Sequence, residues 1–403
     1  MSEAVRKPAI FCISTYEKGQ AFLREAAQQG CEVNLLTVDK LRDANWPREA
    51  ITHLFTMPEG LTPEQILNTV SYFARTHPID RIVALDEFDL EAAALLREHM
   101  RLPGMGQSET RFFRDKLAMR TGARAGGVAV PDFIRVFNYD DLRAFMAHVP
   151  GPWLLKPRSN ASAIGIKTIQ EPEELFPILD QLGDEQSHYV LERFVTGEVY
   201  HVEGVTWGGK LLFSQPCKYG KPPMQTMHQG GVFTTRTLSK DSAEEQALCE
   251  IHRRVLQALG LRNGVTHTEF IRSAVDGQFY FLETAARVGG AFIAEVVEFA
   301  TGLNPWVEWA RIEAALAQGR EYALPPLRRD YAGSVICLAK QSEPDLSAYA
   351  DPEIALRLHK HHHAGILLQS PSAERVQELV DGYAVRFLED FCAVMAVPDR
   401  PTA

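Results

Sequence analysis

Several features that mark large protein classes are scarce in this chain. Its six cysteines, Cys12, Cys31, Cys217, Cys249, Cys337 and Cys392, are scattered and contain no Cys-x-x-Cys pair. That spacing fits neither a zinc site nor a disulfide framework, so a cytoplasmic location is expected. The first apolar run, 9–13, is too short for a signal peptide or a membrane span. Excess positive charge is also lacking: 42 Lys and Arg stand against 52 Asp and Glu, a formal net charge of −10. This balance argues against nonspecific partners such as nucleic acid or an anionic membrane. There is no internal repeat or low-complexity tract, and no G-x-G-x-x-G follows the first apolar run, which disfavours a dinucleotide-binding domain.

What is present reads as a globular α/β chain. At 403 residues, 45% hydrophobic and 23% charged, it is long enough for two or three domains with a substantial core. An apolar strand at 9–13, a helix at 20–29 closed by Gly30, a strand at 33–38 and another at 81–85 predict a small parallel sheet. Pro103-Gly104 ends this first unit. A helical stretch at 109–122 follows, then strands at 153–156, 189–192, 199–206 and 211–213. A helix at 245–259 places Leu248, Ile251, Val255 and Leu259 on one face. Strands near 334–339 and 365–368 and a helix at 374–388 complete the chain.

The most informative segment is a hairpin that carries one acid in each arm. Thr266-His267-Thr268-Glu269-Phe270-Ile271 is followed by Phe279-Tyr280-Phe281-Leu282-Glu283-Thr284-Ala285-Ala286-Arg287. Loop parity decides whether the acids meet. A two-residue turn at Asp276-Gly277 puts Glu269 and Glu283 on opposite faces; a three-residue loop, Val275-Asp276-Gly277 with Gly277 left-handed, pairs them directly. Facing carboxylates repel unless a cation lies between them, and magnesium prefers oxygen ligands. The hairpin therefore reads as a magnesium site for nucleotide phosphates, or as a half-exposed hairpin whose acids are solvated.

Upstream, Lys156 ends an apolar strand and precedes the small-residue stretch Ser159-Asn160-Ala161-Ser162-Ala163-Ile164-Gly165. Backbone amides there can approach a phosphate, with lysine as a compact charge, although strand-ending lysines are commonly surface residues. Glu192-Arg193-Phe194-Val195-Thr196-Gly197-Glu198 offers two acids around an apolar backbone stretch, a pattern that can read a nucleoside or simply end a strand.

Taken in order, Arg114-Asp115-Lys116, Leu155-Lys156-Pro157, the segment from Leu191 to Glu198, and the paired runs around Glu269 and Glu283 resemble the ATP-grasp superfamily, in particular its carboxylate–amine ligases. The resemblance covers about 10–316. It implies an ATP-grasp fold, α+β in its central lobes, behind a small parallel α/β domain. The division it gives is 1–105, 106–190 with the first lobe, 191–325 with the second lobe and metal-binding strands, and a C-terminal α/β lobe at 326–403. It further implies that Lys116 and Lys156 bind ATP phosphates, that Glu192, Phe194 and Val195 bind adenine, and that Glu198 holds the ribose. Glu269 and Glu283 would hold magnesium or manganese, and Arg287 would stabilise the transferring phosphoryl group. One position departs from the family pattern. Ala285 stands where the family usually has an asparagine ligand, which puts a full two-metal site in doubt.

The implied reaction joins a small-molecule carboxylate to an amine, both amino-acid-like, through an acyl-phosphate with release of ADP and phosphate. The alternatives are activation of bicarbonate, against which the lack of a carrier domain weighs, and a catalytically weak regulatory protein, suggested by Ala285. The polar segment at 214–236, with His228, is expected to order over substrate. Glu87, after the third strand of the first domain, is placed to receive a substrate amine. His359, His361, His362 and His363 lack tetrahedral spacing and read as a solvated loop. A homodimer is the expected assembly.

Overall fold

The apolar run at the start of the chain becomes β1 (Ala9–Ile13), a fully buried strand inside a parallel sheet. This sheet runs β3 (His53–Met57), β2 (Glu32–Val38), β1, β4 (Arg81–Ala84). The computed structural model describes residues 6–160, 164–223, 226 and 231–393. The helix Gln20–Gln28 links β1 to β2 as its periodicity predicts, and Gly30 leaves it with a φ of 83°. β3 has no counterpart in the sequence reading. It is an edge strand of mainly half-buried residues, so it shows no apolar alternation. Asp86 and Glu87 therefore follow the fourth strand of this sheet, not the third, at its carboxyl edge.

A second, antiparallel sheet runs β5 (Phe133–Arg135), β8 (Tyr189–Arg193), β6 (Trp153–Pro157), β7 (Lys167–Ile169). The third and largest is also antiparallel. Its order is β13 (Phe279–Ala285), β12 (Gly264–Ser273), β9 (Gly197–Trp207), β10 (Lys210–Tyr219), β11 (Phe233–Thr237), β14 (Tyr331–Leu338), β16 (His363–Ser370), β15 (Ile354–Arg357). β8 runs across the boundary expected at 190, and β14 to β16 extend the large sheet without forming one of their own.

The helical stretch expected at 109–122 is interrupted. A short helix, Gln107–Thr110, gives way to a 3₁₀ turn, and Asp115 then restarts the chain as the helix Lys116–Ala125. Its carboxylate accepts from Leu117 N at 2.9 Å and Ala118 N at 3.3 Å, satisfying amides that the first turn leaves open. Lys116 is thus the first residue of a capped helix.

The N-terminal sheet is docked onto the helix Pro305–Gln318. Phe22 meets Trp309 edge to face at 5.4 Å, and the buried Arg81 Nε lies 2.8 Å from Glu313 Oε2. The His359 to His363 stretch is a largely exposed turn between β15 and β16, in keeping with the solvated-loop reading.

Candidate active site

The two hairpin acids do face each other. Glu269 pairs with Glu283, Thr268 with Thr284 and His267 with Ala285. The expected cause is wrong, however. Ser273 N donates to Gln278 O at 2.9 Å and Gly277 N to Ser273 O at 2.9 Å, so the loop has four residues, 274–277, not three. Gly277 is left-handed as expected, with φ of 69°. A four-residue loop continues as Arg272–Phe279, Ile271–Tyr280 and Phe270–Phe281, which alone would set Glu269 opposite Leu282. A bulge between these registers makes Leu282 the extra residue on β13. Phe281 can then stay in the apolar core beside Phe270 while Glu283, two positions on, faces the site. The Leu282 carbonyl freed by the bulge accepts from Arg120 Nη1.

These acids line a cavity of about 390 Å³, along with Lys116, Lys156, Glu192 and Arg287. Phe194 and Val195 form part of its apolar wall. Lys116 Nζ sits 2.8 Å from Glu283 Oε2 and donates to Asn160 O at 2.6 Å. Burial alone would raise the Glu283 carboxyl, but Lys116 outweighs it and lowers it below the ordinary value. Glu269 Oε1 accepts from Tyr219 Oη at 2.9 Å. A lysine ammonium thus faces one carboxylate and a phenol hydroxyl the other. The hard oxygen set suits magnesium.

Glu192 is 1% exposed and bonded on both oxygens. Lys156 Nζ donates to Oε1; Arg120 donates to Oε2 from Nε at 3.1 Å and Nη2 at 2.9 Å. Burial pushes this carboxyl up, yet Arg120 and Lys156 prevail and hold it at about 2. Arg120, one turn beyond Lys116 on the same helix face, was not singled out from sequence; its spacing of four from Lys116 was the available signal.

Arg287 reaches the cavity with Nη2 2.7 Å from Glu87 Oε2, and Arg114 Nη1 lies 3.3 Å from the other Glu87 oxygen. Burial opposes charge on Glu87, but Arg287 and Arg114 lower its pKa, and Glu87 in turn raises that of Arg287. Glu87 therefore enters the site as the anchor of an arginine. Glu198 does not line the cavity. Strand alternation sends it to the face of β9 opposite His201, where it is exposed and bonded to Lys218 Nζ at 2.6 Å and Tyr200 Oη at 3.0 Å. His228 lies outside the described residues.

A further buried group adjoins the acids. His201 Nδ1 and His267 Nδ1 lie 2.9 Å and 2.6 Å from the same oxygen, Glu203 Oε1. Desolvation disfavours a charged His267, but Glu203 overcomes it and raises the imidazole to about 10. His201 and Glu203 were missed as site residues. Their alternation along β9, beside the strand that carries Glu269, was the signal.

Residues 149–295 match the ATP-grasp domain family. The L-arginine-specific L-amino acid ligase of Bacillus subtilis is 26% identical over 235 residues, 57% of this chain and 56% of that protein. The chain thus spans little more than half the length of the curated relatives it matches. The L-amino acid ligase from Bacillus licheniformis is similar in structure, with a TM-score of 0.73 at 19% identity, covering 97% of this chain and 99% of that one. The biotin carboxylase domain of the Hydrogenobacter thermophilus 2-oxoglutarate carboxylase, solved with MgADP, ADP and bicarbonate, gives a TM-score of 0.70 at 13% identity, covering 94% and 90%. The fold is the ATP-grasp fold, with helices and, among the described residues, one parallel and two antiparallel sheets, and it carries the charged cavity described above. The match to the ATP-grasp domain family lies within residues 149–295, which carry Lys156, Glu192, Glu269, Glu283 and Arg287.

Proposed function

We propose that this chain is an ATP- and magnesium-dependent ligase that joins a carboxylate to an amine through an acyl-phosphate. The observation that carries this reading is the convergence of Lys116, Lys156, Glu269, Glu283 and Arg287 on one cavity from three separate segments. Lys116 and Lys156 hold ATP phosphates; Glu192, Phe194 and Val195 take the adenine end. Glu269 and Glu283 hold the divalent cation, magnesium or manganese, which when bound neutralises charge on the β- and γ-phosphates. A substrate carboxylate oxygen attacks the γ-phosphorus, and the bond to the β-γ bridging oxygen breaks to release ADP. The amine nitrogen then attacks the acyl carbon, phosphate leaves, and the amine gives up a proton to solvent. Arg287 faces the transferring group, where fixed positive charge acts on charge that develops in the transition state. No residue acts as a covalent nucleophile; positioning supplies most of the rate.

Amino-acid-like substrates fit the relative named above, and a cytoplasmic homodimer completes the reading. Among the described residues, no helix is long and apolar enough to cross a membrane. The test is ADP release across pools of amino acids and carboxylic acids. Release that needs an amino acid supports a ligase, release stimulated by bicarbonate supports the carboxylase alternative, and ATP binding without release supports a regulatory protein.

A further inference from the structure

Ala285, where a third metal ligand is expected, faces His267 across the ladder, and His267 in turn pairs with Glu203 on β9. These three form a cross-strand row beside the row Glu283, Glu269, His201. The placement of His267 gives its two nitrogens different partners. Nδ1 lies 2.6 Å from Glu203 Oε1, while Nε2 is 3.5 Å from Glu269 Oε1, and the ring lines the cavity. Two atoms bound to one ion at about 2.1 Å sit roughly 3–4 Å apart, so one cation can be shared by Nε2 and the carboxylate. A carboxylate on Nδ1 keeps a proton on that nitrogen, so a cation that displaces the Nε2 proton finds a lone pair there, the usual support behind a metal-bound imidazole. Glu203 is 2% exposed, and its Oε2 has no partner among the described residues. Nearby packing also confines the ring: a Cβ on Gly289 would come within 3.0 Å of His267 Nδ1 and 3.1 Å of Glu203 Oε2.

We propose that His267 is a metal ligand through Nε2, in place of the ligand that Ala285 cannot supply, and that Glu203 is its positioning residue. The proposal rests on the ligase reading only in that Glu269 and Glu283 hold the cation of a bound nucleotide. A nitrogen donor weakens the preference for hard magnesium and favours a first-row transition ion. Manganese is therefore expected to bind more tightly than magnesium in the presence of ADP.

The test uses the full chain with Mn²⁺ and ADP. Loss of the free-ion signal reports binding, and pulsed electron paramagnetic resonance reports nitrogen coupled to manganese. The wild type is expected to show a ¹⁴N coupling that becomes a ¹⁵N coupling when the protein is labelled with ¹⁵N-histidine, a readout that needs no variant. His267→Gln is expected to lose it, and Glu203→Gln to lower Mn²⁺ affinity roughly ten- to hundredfold. Manganese–ADP binding without histidine coupling overturns the proposal and leaves the nucleotide site standing. Coupling that persists in the double variant Glu269→Gln, Glu283→Gln also overturns it, since the ion would then sit in the buried His201–Glu203–His267 cluster. No manganese–ADP binding by the wild type overturns both the proposal and the nucleotide reading.

Discussion

Arg287 brings its charge into the cavity paired with a protein carboxylate, Glu87, at 2.7 Å. In the proposed reaction it acts on charge that exists only during phosphoryl transfer. Arg287→Ala is accordingly expected to lower turnover by roughly a hundred- to a thousandfold and to leave ATP binding largely intact, as read by ADP release and calorimetric titration. Wild-type turnover in that variant would contradict the role. Glu192 has a different character, since both of its oxygens are bonded to buried cations. Glu192→Gln leaves Arg120 and Lys156 without their countercharge and is expected to cost about 3–5 kcal/mol of stability, measured by denaturant unfolding at neutral pH. The pH dependence follows from its lowered pKa, about 2 against an ordinary 4.5. The stabilisation is present above about 4.5 and is lost as pH falls through about 2, so the gap between wild type and variant closes over that window.

Among the elements, the hairpin β12–β13 shows how far sequence patterning reaches. The pairing of Glu269 with Glu283 was legible, because two apolar arms each carried one acid. The route to it was not. An even loop plus a bulge has the same parity as an odd loop, and the bulge is fixed by tertiary partners: Phe281 in the core and Arg120 on the Leu282 carbonyl. β1 and the helix Gln20–Gln28 were legible because burial on both faces or on one stripe leaves a clear period. β3 and the three-residue strands β5 and β7 were not, being short or half-buried. Ala285 was legible as a departure, whereas Glu203 was not, because a strand acid gains meaning only once its neighbours are known. Asp115 joins element to site: it caps the helix that starts at Lys116 and is paired with Arg158. Asp115→Ala is expected to cost about 1 kcal/mol through the cap and to weaken ATP binding by shifting Lys116. Unchanged nucleotide affinity, by titration, would separate the cap from the site.

At the scale of the molecule, the cavity exists because distant segments are held together. Lys116 comes from a helix, Lys156 and Glu192 from the small antiparallel sheet, and the paired acids from the large sheet. Glu87 arrives from the N-terminal parallel sheet, which Arg81–Glu313 and Arg311–Glu25 fasten to the helix Pro305–Gln318. The order of the motifs made this fold legible, while these bridges, between residues far apart in sequence, were not. In the proposed reaction a carboxylate oxygen attacks phosphorus. Once the ADP-release screen supplies a carboxylate, the direct measurement uses that acid labelled with ¹⁸O, Mg-ATP and the amine, with mass spectrometry of the inorganic phosphate. One ¹⁸O is expected to pass to phosphate for each amide formed. Amide formation with unlabelled phosphate would contradict it.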